Sequence, residues 1–199
     1  TVRPPFAGEC ESPTQMAVSR DGATLAMDCA GKGIMVWQDA PEAPIIVPMP
    51  TAQTTAKALY AGGLDGSLRL LDAEGHIFNW NPTTKQWLPS RAAGIGQAYA
   101  AAFSPDGSML AAALSGGAVS LVRVDSGATV QTWRHGSAES ATTGVTAVDF
   151  SNDGLTLATA GEDGRVRLWD VSPGARYRLM SSELPATLPA SYCAASSRD

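Results

Sequence analysis

The residues of this sequence with the clearest potential for chemistry are aspartates that precede glycines. Asp153-Gly154 and Asp163-Gly164 lie ten residues apart, shortly before Trp169-Asp170. Paired carboxylates can act as general acid and base, and aspartate-rich loops can bind calcium. An EF-hand loop, however, needs aspartates at alternate positions and a final glutamate, which the stretch at Asp153 lacks. Aspartate-glycine pairs also favour tight two-residue hairpin turns, and we favour that structural role for both.

Two histidines and two glycine-rich stretches are the other candidates for catalysis or ligand binding. His76 and His135 have no second histidine or cysteine near them in sequence, so neither a metal site nor a nucleophile-base pair is favoured. The glycines at 61–63 and 93–96 are not followed by Lys-Ser/Thr, which disfavours a phosphate-binding loop. We therefore predict no catalytic residue, no metal site and no cofactor, and we do not expect a small-molecule ligand.

Three cysteines, Cys10, Cys29 and Cys193, are an odd number at wide spacings. This pattern fits neither a disulfide framework nor a C-x-x-C metal site, so free or buried thiols are favoured. A disulfide between Cys10 and Cys29 stays open as an alternative in an oxidising compartment.

The composition predicts a folded chain that binds neither nucleic acid nor membranes. Its 199 residues are 44% hydrophobic and carry a net charge of −5, with 14 basic residues scattered along the chain. No apolar stretch reaches the roughly 20 residues of a membrane-spanning helix. No secretory signal is visible, and a cytoplasmic location is favoured on that ground.

A repeated unit organises most of the chain. The tetrapeptide Ser-x-Asp-Gly occurs at 19–22, 104–107 and 151–154, and sixteen residues after its aspartate lies a residue that we call the landmark: Trp37, Val122 or Trp169. Residues 65–72 resemble 163–170 and predict a further copy with Leu71 as landmark. The landmarks are then 34, 51 and 47 residues apart. A period in the forties with short strands predicts an all-β fold of propeller blades, each built from four antiparallel strands.

The strand pattern places four blades at 16–48, 49–80, 97–134 and 145–180. In the last copy, strands are predicted at 145–151, 156–160, 165–171 and 176–180, and the landmark lies in the third. The corresponding fourth strands are predicted at 44–48, 76–80 and 129–133. Blade two is irregular, with a first strand near 49–54 and an insertion at 81–96. A leading strand or linker at 1–15 and a flexible tail at 181–199 complete the prediction.

The segment from Leu157 to Asp170, LATAGEDGRVRLWD, resembles the core of a WD (tryptophan-aspartate) repeat, and the other copies are similar at many of the same positions. The resemblance implies a hydrogen-bonded network of four side chains in blade four: His135, Thr159, Asp163 and Trp169. At the position of Thr159 the other copies have Met27, Ala61 and Ala112, so they are expected to be held together by packing. The expected inter-blade core consists of the landmarks Trp37, Leu71, Val122 and Trp169.

The same resemblance implies a non-catalytic scaffold for protein-protein interaction. One alternative is a sensor or regulatory propeller within a larger multidomain protein. A sugar-binding or hydrolytic propeller is less favoured, because it needs a carboxylate cluster that the sequence does not reveal. Expected partners are other proteins or the remainder of the chain's own propeller, since an open array of blades leaves apolar faces exposed. Candidate contact residues are Glu162 and Arg165 at the second turn of blade four, and Ser137 and Glu139 in the insertion at 136–143.

Overall fold

The computed structural model describes residues 10, 12–38, 43–62, 66–135, 144–172 and 179–181. Within these residues, the secondary structure is seventeen β-strands and one short 3-10 turn, Ser115–Gly117. The strands form four antiparallel sheets, each with at least four strands. The predicted all-β fold of propeller blades is therefore confirmed. The chain divides into two compact units, Thr1–Ala92 and Ala93–Asp199.

The first unit contains blades one and two, whose strands pair in chain order from the first strand outwards. The strands of blade one are β1 (Pro13–Val18), β2 (Thr24–Cys29), β3 (Gly33–Gln38) and β4 (Ile45–Val47). Those of blade two are β5 (Ala56–Ala61), β6 (Leu68–Asp72), β7 (His76–Asn81), β8 (Gln86–Trp87) and β9 (Arg91–Ala92). The short strands β8 and β9 both pair with β7 and together form the outer edge of blade two.

The second unit contains blades three and four, which follow the same order. The strands of blade three are β10 (Ala100–Phe103), β11 (Met109–Ala113), β12 (Ala118–Arg123) and β13 (Thr129–Arg134). Those of blade four are β14 (Val145–Phe150), β15 (Thr156–Gly161), β16 (Val166–Asp170) and β17 (Leu179–Ser181). The tail at 182–199 lies outside the described residues.

The Ser-x-Asp-Gly tetrapeptide forms the turn between the first and second strands of three blades. In blade four, the hydroxyl of Ser151 donates to Asp153 and accepts the backbone N–H of Thr156, while Asp153 Oδ1 accepts the N–H of Leu155. The same bonds recur around Ser19 and Ser104. Serine and aspartate thus satisfy backbone donors that the hairpin ladder leaves unpaired, which explains why both residue types repeat.

The prediction of two-residue turns at the Asp-Gly pairs is wrong. Ser151 and Thr156 close a four-residue loop, with the N–H of Gly154 donating to the carbonyl of Ser151. At the second turn, the N–H of Gly161 donates to the carbonyl of Arg165 and encloses three residues. Gly154 and Gly164 have φ values of 73° and 70°. In both cases the glycine therefore supplies the left-handed residue of a hairpin loop that is longer than two residues.

Blade two is more regular than the sequence predicted. Leu71 lies in β6, the second strand, and residues 76–81 form the third strand rather than the fourth. Trp80 is therefore the third-strand landmark, and the landmarks Trp37, Trp80, Val122 and Trp169 lie 43, 42 and 47 residues apart. The second-strand residue paired with each landmark is a leucine in all four blades: Leu25, Leu68, Leu110 and Leu157. The predicted insertion at 81–96 contains β8 and β9 of the blade's outer edge.

Consecutive blades pack face to face within each unit. In the first unit, Ala26, Ile34 and Val36 of blade one share a buried cluster with Leu68 and Leu70 of blade two. In the second, an equivalent cluster joins two sets of residues: Ala111, Ala113, Val119 and Leu121 of blade three, and Val145, Phe150, Leu157 and Trp169 of blade four. In both pairs, the later blade contributes the face that carries the leucine paired with its landmark, which we call the landmark-side leucine. The earlier blade contributes the other face of its sheet, opposite its own landmark.

The cysteines form one pair among the described residues. Cys10 and Cys29 are joined by a disulfide with their Cα atoms 5.4 Å apart. The favoured prediction of free thiols is therefore wrong for these two, and the alternative pairing is the one observed. The antiparallel pairing of Pro13 with Cys29 explains it, since it leads the chain segment around residue 10 back to the end of β2.

Candidate functional site

The structure brings together three side chains of the expected polar network at the interface of blades three and four. His135 follows β13, Thr159 lies in β15 and Trp169 in β16. Trp169 Nε1 donates to Thr159 Oγ1 at 2.9 Å, and His135 Nδ1 lies 2.8 Å from the same hydroxyl oxygen. All three residues are at most 6% exposed. One hydroxyl group therefore links the outer end of blade three to the second and third strands of blade four.

The fourth expected member, Asp163, lies at the second turn of blade four, where its carboxylate contacts three residues. Its Oδ1 accepts the backbone N–H of Arg165, and its Oδ2 accepts Nη1 of Arg167 at 2.8 Å. His135 Nε2 lies 3.3 Å from Asp163 Oδ1, without the alignment of a hydrogen bond. Arg167 is buried and was missed from sequence. Its position four residues after Asp163, on the strand that leaves the turn, is the signal that could have found it.

Burial and neighbouring charges set the protonation of this network. Burial lowers the pKa of His135, and the positive charge of Arg167 lowers it further, against the opposing effect of Asp163. Burial alone would raise the pKa of Asp163, but the hydrogen bonds from Arg167 and from the backbone of Arg165 bring it below its usual value. His135 is therefore neutral near pH 7 and Asp163 is ionised.

The neutral state of His135 fixes the direction of the hydrogen bonds. A carboxylate can only accept, so the imidazole proton belongs on Nε2, which faces Asp163. His135 Nδ1 then accepts the hydroxyl proton of Thr159, whose oxygen in turn accepts from Trp169. The hydroxyl is used as donor and as acceptor at once, and the buried groups on both of its sides are satisfied.

Gly161 provides the space in which the imidazole lies. A Cβ atom built on Gly161 would lie 2.5 Å from both Cδ2 and Nε2 of His135 and 2.9 Å from Asp163 Oδ1. Its φ is not in the left-handed region, so the requirement for glycine here is one of space. In the segment ATAGED, residues 158–163, the glycine therefore lies directly against the His135 ring, where a side chain would not fit.

The candidate contact residues differ in how free their side chains are. Glu162 folds back onto the chain, where its Oε2 accepts the backbone N–H of Gly144 at 3.1 Å. Arg165 is exposed where the same turn ends. Ser137 and Glu139 lie outside the described residues. The network therefore holds a turn whose outward side chain is Arg165, while Glu162 has a structural contact of its own.

The landmark residues predicted as inter-blade core are all buried, but they do not share one role. Trp169 belongs to the cluster between blades three and four and stacks at 5.2 Å on Trp133. Trp37 packs instead with Cys29 and Met35 of its own blade. Leu71 and Val122 are fully buried, although Leu71 is not a third-strand residue.

One group of potential metal ligands occurs among the described residues. Asp72, Glu74 and His76 bring ligand atoms within 4.8 Å of one another at the turn between β6 and β7. Asp72 Oδ1 accepts the backbone N–H of Glu74 and of His76, and its Oδ2 lies 3.1 Å from His76 Nδ1. These bonds account for the buried carboxylate as a turn cap.

Within the described part of the chain, no helix has the length and apolar character needed to cross a membrane.

Four successive sheets of antiparallel strands, each paired in chain order from its first strand outwards, define a β-propeller type of protein. The family model of the WD domain, G-beta repeat, matches residues 128–170, which run from the residue before β13 to the end of β16. The matched segment contains all four network residues. The predicted resemblance of this chain to the WD-repeat propeller family is thereby confirmed.

A relative supports the same assignment. Pre-mRNA-processing factor 19 homolog 2 of Arabidopsis thaliana is 46% identical over 72 residues. The aligned segment is 36% of this chain and 13% of that protein, so the chain spans only a small part of the relative it matches.

Proposed function

We propose that this chain is a non-catalytic interaction module that binds other proteins through the loops of its propeller blades. The observation that carries the proposal is the second turn of blade four. Its backbone is fixed from beneath by Asp163, while Arg165 projects from it into solvent. A fixed loop with an exposed guanidinium loses little conformational freedom on binding and can form a bidentate contact with a carboxylate. An acidic segment of a partner protein fits this chemistry best.

The buried network itself supports a binding role over catalysis. His135 is 1% exposed and neutral, and its two ring nitrogens face Thr159 and Asp163. A general acid or base must reach a substrate proton, which a histidine enclosed in this way does not. The network is therefore assigned to holding the turn, and the exposed surface of the turn to recognition.

A sensor or regulatory role within a larger polypeptide is a second candidate, and the relative favours it. The matched region makes up 13% of that protein, so similar repeats occur there as part of a much longer chain. The predicted contacts Ser137 and Glu139, in the segment next to His135, belong to either candidate.

The disulfide bears on location. Disulfides persist in oxidising compartments and are rare in the cytosol. The Cys10–Cys29 pair therefore supports an oxidising compartment rather than the cytoplasmic location favoured from sequence.

The proposal is tested by cross-linking and mass spectrometry in cells that naturally produce the protein, with Arg165→Glu compared against wild type. Reversing the charge should reduce the yield of cross-linked partners about tenfold or more, because an acidic segment then meets a like charge. Arg20→Glu is the matched control, since Arg20 is also exposed at a blade turn and belongs to blade one. It should retain the partners. Equal yields from the Arg165 variant and wild type, with both variants folded by circular dichroism, would contradict the proposal.

A further inference from the structure

We propose that the chain self-associates head to tail, with blade one of one copy binding blade four of a second copy. Neither face includes Arg165, although the blade-four face begins beside its turn at the Ala160–Val166 pair, and the contact goes beyond the interaction function proposed above.

Blade one has two different faces, which the strand register separates. We call one of them the Trp37 face. Cross-strand pairing places its members in two rows: Met16, Met27, Met35 and Ile46 in one, and Val18, Leu25 and Trp37 in the other. The opposite face, with Ala26, Ile34 and Val36, is the one buried against blade two.

The rim of the Trp37 face is apolar and exposed. Met35 and Trp37, at its centre, are 4% and 3% exposed. Met16, Val18 and Ile46, around them, are 65%, 52% and 56% exposed. Three large apolar side chains around a buried tryptophan form an apolar patch of the kind that marks a protein-protein contact.

The packing within each unit indicates which kind of surface packs against such a face. In blades two and four, the face that carries the landmark-side leucine packs on the opposite face of the preceding blade. Leu25 and Trp37 are the corresponding residues of blade one. The Trp37 face is therefore suited to the opposite face of another propeller blade.

Blade four carries that complementary face in this same chain. Blade three buries Ala111, Ala113, Val119 and Leu121 against blade four, all at most 1% exposed. At the same distances from its own landmark, blade four has Ala158, Ala160, Val166 and Leu168, the same four residue types in the same order. All four are only partly buried, whereas the alternating residues Leu157, Thr159, Arg167 and Trp169 are buried. The surface that blade three uses to bind a blade thus recurs on blade four, where it is only partly buried.

Head-to-tail contact between these two faces is heterologous, because each copy contributes a different surface to it. The test is sedimentation of the full 199-residue chain across a range of concentrations. Wild type should sediment as a species heavier than the 20.6 kDa of one chain. Met16→Glu and Ala160→Arg, one on each face, should each weaken association about tenfold or more by burying an unpaired charge.

Mixing the two variants distinguishes this contact from a symmetric one. Each variant keeps one intact face, so the mixture should associate more strongly than either variant alone. Tyr99→Glu is the control, since Tyr99 is 66% exposed and belongs to neither face. It should associate like wild type, and so should Arg165→Glu, which separates this proposal from the partner-binding function.

Three outcomes would overturn the proposal. They are a wild-type chain that sediments as a monomer at every concentration, an Ala160→Arg variant that associates like wild type, and a mixture that associates no better than its components. Circular dichroism melting of each variant identifies loss of fold, and Val166→Lys replaces Ala160→Arg on the same face if that variant unfolds.

Discussion

Replacing Thr159 with valine tests the buried network most economically. Valine keeps the branched shape of the side chain and removes the hydroxyl that Trp169 Nε1 and His135 Nδ1 both use. Thr159 is 1% exposed, so water cannot take its place without opening the interface between blades three and four. The substitution leaves one buried donor and one buried acceptor without their partner.

The size of the effect follows from those two groups. A buried polar group left without its partner costs about 1–3 kcal/mol, so two of them should lower the free energy of unfolding by about 2–6 kcal/mol. Valine places a methyl group where threonine has its hydroxyl, so the packing loss is small. With a urea m-value of about 2 kcal/mol per molar, the unfolding midpoint should fall by roughly 1–3 M.

The assay is urea unfolding at pH 7.5, followed by tryptophan fluorescence, because Trp169 itself reports on the site. Thr146→Val is the matched control. Thr146 lies in β14 of the same blade, is exposed, and makes a single 3.3 Å contact with the carbonyl of Ala160. Its loss should change stability by about 0.5 kcal/mol or less. Equal midpoints for the Thr159 and Thr146 variants would refute the role assigned to the network.

Three further predictions concern space and charge. Gly161→Ala should destabilise the second unit by about 1–3 kcal/mol in urea unfolding, since its Cβ meets the ring of His135, and a wild-type midpoint would refute this. Because the folded pKa of His135 is lowered, the unfolded chain binds more protons below pH 6.5. Stability should therefore fall between pH 7 and 5 by at most about 1.4 kcal/mol per unit, and His135→Gln should flatten this dependence. Gly33→Ala, whose Cβ would lie 2.5 Å from the carbonyl of Val47, should lower the melting temperature more than Gly31→Ala, which meets nothing within 4 Å; the reverse order would contradict it.

Blade four was the part of the fold that the sequence predicted most closely. Its first three strands and the turns between them lie close to their predicted positions, and the structure places Thr159, Asp163 and Trp169 next to His135 although the eight residues between His135 and Gly144 are predicted as an insertion. The positions are specified locally, because a hydrogen-bond ladder between adjacent strands fixes which residues lie opposite one another. Arg167 was missed since a strand arginine usually faces solvent.

Blade two was misread for a physical reason. Asp65-Gly66 imitates the second-turn motif, and it led to Leu71 as landmark in place of Trp80. The actual second turn runs through Asp72 and Gly75, where the buried carboxylate of Asp72 accepts two backbone N–H groups. Such a turn has no Asp-Gly pair, so the search for that dipeptide does not find it. The leucine twelve residues before each landmark was the sequence signal that would have corrected the register.

The cysteine pair and the exposed blade faces depend on tertiary structure. Whether Cys10 approaches Cys29 is decided by the path of the chain into β1, which spacing alone does not reveal. The four residue types shared by blades three and four are visible in the sequence. Their full burial in blade three and their only partial burial in blade four are not.

The central claim is that a buried hydrogen-bond network stabilises blade four. Hydrogen exchange of the Trp169 indole N–H, followed by NMR, tests it most directly. The account predicts slow exchange in wild type, because this N–H is buried and donates to Thr159, and much faster exchange in Thr159→Val. An indole proton that exchanges as fast in the folded wild-type protein as in the urea-unfolded chain would contradict it.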